Sequence, residues 1–203
     1  MKNGQPVQEW QRPLAFLAEA PLKQATEGKD VQIEWMPFEL HPAPTPTRRP
    51  ESDYLQERWK QSVYPLAERL GVQMKLPSVS PYPYTNLAFQ GLEFAKDHGR
   101  ANEYNDAVFR AFFQQSRDIG SPEVLAGIAK EVGLDAKALQ SALKEGAYRE
   151  RVQQLLETAY GRVGVTAVPT MIIGRQRLEG LYPAETIRQV IDSEITRQEE
   201  KPR

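Results

Sequence analysis

The sequence predicts an α/β fold in which helix and strand at both ends of the chain enclose a large all-helical insertion. Three observations carry this. Val31-Gln-Ile-Glu-Trp35 alternates apolar and polar residues, the pattern of a half-buried strand, and Pro37 ends it. From about residue 52 to residue 160 the apolar residues recur at helical spacing. Strand character returns at Thr170–Ile173, where Gly174 permits a turn and Arg177-Leu178-Glu179 offers a return strand. An isolated hairpin is only marginally stable, so this one must join the sheet of the first strand.

The elements follow in order. Residues 13–27 are rich in helix formers, with Leu14, Leu17, Ala18 and Leu22 on one stripe, Pro13 suited to the first turn and Gly28 as the stop. Pro21 lies inside that pattern and should kink it. Residues 41–50 hold four prolines and read as an extended linker, the first candidate boundary. Residues 52–70 read as one helix interrupted at Pro65, and residues 72–84 as a proline-bearing loop. Thr85, Asn102, Ser121 and Asp135 each stand where they could cap a helix; Gly99, Gly133 and Gly146 stand where helices should stop. A helix over 148–160 and a last one opened by Pro183 complete the order, with a polar, frayed tail after residue 196.

Composition narrows the function. The chain has 203 residues, 40% of them apolar, which allows a core of ordinary size. The 26 basic and 27 acidic residues nearly cancel, and no basic stripe appears, which argues against nucleic acid as a partner. Arg48-Arg49 beside prolines reads as a solvated pair. No apolar run approaches the roughly 20 residues that span a bilayer, and the first residues lack the apolar core of a signal peptide; the expected location is the cytoplasm, with no membrane partner. Cysteine is absent, which removes disulfides, thiolate nucleophiles, dithiol redox catalysis and thiolate metal sites. His41 and His98 stand far apart and outside any metal-ligand spacing, so no metal site is expected.

Four stretches, Phe16-Leu-Ala-Glu-Ala-Pro21, Glu34-Trp-Met-Pro-Phe-Glu-Leu-His-Pro42, Pro65-Leu-Ala-Glu-Arg-Leu-Gly-Val72 and Gly164-Val-Thr-Ala-Val-Pro-Thr-Met-Ile-Ile-Gly174, resemble the DsbA-type thiol–disulfide oxidoreductases. Within them the chain looks most like the FrnE-like branch, near the 2-hydroxychromene-2-carboxylate isomerases. The resemblance implies a thioredoxin-like domain built from residues 1–47 and 161–203, interrupted by a helical insertion over 48–160. It implies a cis Val168–Pro169 bond, with residue 168 presenting its amide and carbonyl to a peptide or small thiol substrate. The family's Cys-Pro-x-Cys motif falls on Arg12-Pro13-Leu14-Ala15, so the proline is kept and both sulfurs are lost. Glutathione-dependent relatives place a serine at position 12; arginine donates hydrogen bonds but accepts none, so it does not replace that serine. By itself Arg12 reads as a surface charge at a helix start, with an anion site as the alternative.

The resemblance also requires a central strand before residue 12. Residues 1–11 are poor strand material, with Gly4, Pro6 and few apolar side chains. Either Pro6–Trp10 forms a makeshift strand or the sheet is incomplete; a shortened or altered chain start would explain both departures. Three readings of function follow: an oxidoreductase-family member without dithiol activity, a non-catalytic protein binding a peptide or small acid at the Pro169 loop, and a glutathione-dependent isomerase. Glutathione is the one cofactor the resemblance makes possible. The aromatics Phe89, Phe94, Tyr104, Phe109, Phe112 and Phe113 read as core, or as the wall of an interdomain cleft, while Tyr82 and Tyr84 lie in a loop where exposure is expected.

Overall fold

Gly4, Pro6 and a run of polar residues hide the first strand from sequence reading, yet the backbone of Lys2–Gln8 forms β1 at the centre of the sheet. The structure, a computed structural model, describes residues 2–8 and 11–199. β1 runs parallel to β2 (Val31–Ile33) and β3 (Met36–Pro37) on one side. On the other it runs antiparallel to β4 (Thr170–Ile173), which pairs in turn with β5 (Gln176–Glu179). The sheet is therefore complete, and the expectation of a strand at 6–10 or of none is corrected: the strand starts earlier, and residues 9 and 10 lie outside those described.

The register explains why a proline is tolerated there. Gly4 pairs with Ile33 and Val7 with Met36, so Gln5 and Pro6 face the interruption between β2 and β3. Pro6 has no N–H to donate, and the neighbouring strand leaves its ladder at that point. The single strand expected over 31–37 is accordingly two short ones, with Pro37 the last paired residue rather than a residue beyond the end.

Helix α1 (Pro13–Thr26) returns from β1 and buries Ala15, Phe16, Leu17, Ala18, Leu22 and Ala25. After β3 the chain enters the helical block. α2 (Asp53–Arg58) and α3 (Tyr64–Arg69) are joined by a π-helical turn, Trp59–Val63, just before Pro65. The one interrupted helix of the sequence reading is thus continuous in path, and the wide turn absorbs the donor that Pro65 lacks. α4 (Asn86–Asp97), α5 (Ala101–Phe113), α6 (Pro122–Glu131), α7 (Ala136–Glu145) and α8 (Arg149–Glu157) follow.

Ser121 accepts from the Val124 amide and Asp135 from those of Lys137 and Ala138, as cap chemistry requires. Asn102 does not cap: α5 starts a residue earlier, and its Oδ1 accepts from Trp35 Nε1 at 2.7 Å. The last helix, α9 (Ala184–Glu199), extends beyond the expected start of fraying, with Arg197 paired to Glu194.

One continuous core holds α1 and the helical block together. Phe16 stacks on Phe109 and Phe113 with ring centroids 5.4 and 5.6 Å apart. Burying such a ring stabilises the fold by about 1.5–3 kcal/mol, and each aromatic pair adds about 0.5–1.5 kcal/mol. The six aromatics read as core are buried; Tyr82, expected in an exposed loop, is buried too, edge-on to Phe112, whereas Tyr84 is 40% exposed. No helix among the described residues is long and apolar enough to cross a membrane.

Candidate functional site

The site builds up from the end of β1. Val7 pairs with Thr170, the first residue of β4, so Val168 and Pro169 approach the sheet where β1 finishes. α1 starts at Pro13, a few residues beyond that same strand end. The two segments singled out in the sequence, Arg12-Pro13-Leu14-Ala15 and Val168-Pro169, therefore share one end of the molecule. Val168 packs with Met36 and Phe38 in a second apolar cluster, and Met36 is itself the strand partner of Val7.

Each segment is tied down. The Arg12 carbonyl accepts from the Ala15 amide at 3.0 Å, closing the first turn of α1, and Pro13 occupies the position where a missing N–H costs nothing. Arg12 makes no side-chain cap, and no acidic residue stands in that turn. The Val168–Pro169 peptide is cis. The Pro169 carbonyl accepts from the Gly180 amide at 2.7 Å, and Thr170 Oγ1 donates to the Ala167 carbonyl at 2.7 Å. Arg177 clamps the approach to this loop by donating to the carbonyls of Val163 and Gly164.

Sequence reasoning missed the residues that complete this end, because they lie in segments taken for a linker and a loop. Gln11 donates through Nε2 to the Pro83 carbonyl. Thr47 Oγ1 donates to the Tyr82 carbonyl at 2.5 Å, and the Tyr82 amide donates to the Arg48 carbonyl at 2.8 Å. The proline-rich stretch is thus docked against the 82–84 loop. This places His41 within the fields of both Arg12 and Arg48. Burial lowers the imidazole pKa from its ordinary value, and the repulsion of Arg48 and then Arg12 lowers it further. Its Nε2 is buried with no hydrogen-bond partner among the described residues. Beside it, burial raises the Glu39 carboxyl above its ordinary value despite a hydrogen bond to Asn86. The only signals in the sequence were the His41 and Arg48 side chains themselves, inside a segment with no periodicity.

Chemically, this end holds a helix N-terminus, two guanidinium groups and a neutral imidazole. It has hydrogen-bond donors and no thiol, since the chain has no cysteine. Among the described residues no group of three or more histidine, aspartate or glutamate side chains is placed to hold a metal ion.

Residues 11–192 match the DSBA-like thioredoxin domain. The chain belongs to that family. The chain is also 44% identical over 183 residues to the uncharacterized protein YwbO of Bacillus subtilis (strain 168), covering 90% of this chain and 92% of that protein. Two solved structures show the same fold at low identity. The probable DsbA oxidoreductase SCO1869 from Streptomyces coelicolor superimposes with a TM-score of 0.79 at 21% identity, covering 100% of this chain and 93% of that one. A 2-hydroxychromene-2-carboxylate isomerase superimposes with a TM-score of 0.73 at 16% identity, covering 97% and 95% of the respective chains. The DsbA-like frame is therefore present in a chain that has no cysteine.

Proposed function

We propose that this chain is a DsbA-family protein without thiol redox chemistry that binds an anionic ligand where α1 begins. The ligand class is the carboxylate of an extended peptide or of glutathione. One observation carries the reading: Arg12 and Arg48 both press on His41 beside a helix N-terminus that has no acidic residue in its first turn. Like charges brought together next to a positive helix end favour an anion. The loop at Val168 and Pro169 would flank such a ligand on its other side. The cytoplasm, with its glutathione pool, is the compartment we infer.

The isomerase reading has weaker support. It draws on the fold shared with the 2-hydroxychromene-2-carboxylate isomerase, but a position-12 arginine cannot accept a hydrogen bond from a bound thiol.

Calorimetric titration with glutathione and with an extended acidic peptide tests the proposal, alongside a turbidimetric insulin-reduction assay. Binding of either ligand, weakened about tenfold or more in the Arg12→Ala/Arg48→Ala variant, is expected, since a charge-assisted hydrogen bond contributes about 1.5–3 kcal/mol. Insulin reduction should not exceed the buffer rate. Equal affinity in wild type and variant would overturn the site, and catalysed reduction would overturn the loss of redox chemistry.

A further inference from the structure

A second concavity lies away from this end, along the opposite stretch of α1. It is a cavity of about 680 Å³ between α1, the edge strand β2 and α5, closed at one side by the turn at Gly71 and Val72. None of Arg12, Ala15, Val168 or Pro169 lines it. Its lining includes the apolar Phe16, Ile33 and Trp35 and the acidic Glu19 and Asp106.

Glu19 is the unusual group. It is only partly exposed, on a helix whose neighbouring positions Phe16, Leu17, Ala18, Pro21 and Leu22 are buried. Asn105 Nδ2 donates to its Oε1 at 2.5 Å. Arg110, which also lines the cavity, is already paired with Asp106 at 2.8 Å. Glu103, also on α5, is paired with Arg100 at 2.9 Å. Lys23 lines the cavity one turn along α1 from Glu19, but it is exposed and is not among the charges that act on the Glu19 carboxyl. Three acids and two bases line the cavity; Glu103 and Asp106 are ion-paired, and Glu19 has no ion pair among the described residues.

We propose that this cleft binds an organic cation, a primary ammonium on a short apolar body, with its charge between Glu19 and Asp106 and its body against Phe16 and Trp35. The carboxyl of Glu19 is held at about 8, by burial first and by Asp106 second, with Arg110 and Asn105 opposing. At pH 7 the group is mostly protonated, so an arriving cation must displace that proton.

The test is calorimetric titration of the full chain with phenethylammonium, compared with the neutral 2-phenylethanol, in two buffers of different ionisation heat. The cation should bind with release of roughly one proton per site at pH 7, and its affinity should rise up to about tenfold from pH 6 to pH 7. Phenylethanol should bind at least about tenfold more weakly. Glu19→Gln should abolish the proton release and the preference for the amine; its melting curve reports whether it is folded. The proton count on the wild-type chain stands whether or not that variant folds. Absence of binding at millimolar amine, binding without proton release, or equal affinity for the alcohol would each overturn the proposal.

Discussion

The Tyr104 hydroxyl of α5 lies directly over the Gly91 backbone of α4: a Cβ on Gly91 would stand 2.1 Å from it. Glycine in a helix interior costs about 0.8–1 kcal/mol against alanine, so this residue is retained for closeness of approach. Gly91→Ala should destabilise the fold by about 1–3 kcal/mol in spite of the better helix propensity. Tyr104→Phe should be neutral or stabilising, because that buried hydroxyl has no hydrogen-bond partner among the described residues. Urea denaturation of both variants reads the two signs.

A similar contact sets the β4–β5 turn. Gly174 has φ +59°, and a Cβ there would meet the Glu194 carboxylate of α9 at 1.9 Å. Glu194 also accepts from the Arg175 amide at 3.3 Å and pairs with Arg197. Gly174→Ala should therefore lower stability by about 1–3 kcal/mol, through strain at positive φ together with displacement of Glu194. A thermal melt measures it.

Glu19 should make stability depend on pH. Its folded-state carboxyl lies at about 8 against an ordinary 4.5, so the native state holds a proton that the unfolded chain has lost between those values. Stability from this group is fully present below 4.5 and falls as pH rises toward about 8, by up to about 1.4 kcal/mol per pH unit. Glutamine mimics the protonated acid. Glu19→Gln should match the wild type near pH 4.5 and exceed it near pH 8, as denaturation at the two pH values would show.

His41 should give anion binding a pH dependence of the same sign. Its pKa is lowered by burial and by Arg48 and Arg12, so the native imidazole is neutral at pH 7. A bound anion offsets the two arginines and raises it, and binding then takes up a proton. Glutathione affinity should strengthen as pH falls below 6.5, and His41→Asn should flatten that profile in calorimetry at several pH values.

Much of this was legible in the sequence where local chemistry decides structure. Pro13 opens α1, Ser121 and Asp135 cap helices, and Gly174 turns the hairpin, each through its own backbone or side chain. β1 was not legible, because its place comes from partners on both sides rather than from β-propensity, and the gap opposite Pro6 shows only in the register. Asn102 failed as a cap for a related reason: Trp35, 67 positions away, supplies its donor. The Glu19 cleft had no local signal, since its acid and the Asn105 that holds it are 86 positions apart. Arg12, Ala15 and Val168 were singled out from the motif they resemble; His41 was weighed only as a metal ligand and Arg48 only as a solvated charge.

The most direct measurement is an amide-resolved nuclear magnetic resonance titration of the ¹⁵N-labelled chain with glutathione and with the extended acidic peptide. The largest shifts are expected at Leu14, Ala15, His41 and Val168, around the start of α1 and the loop beside it. Saturating shifts confined to the Asn102–Asp106 face, or none with either millimolar glutathione or the extended acidic peptide, would contradict the proposed site.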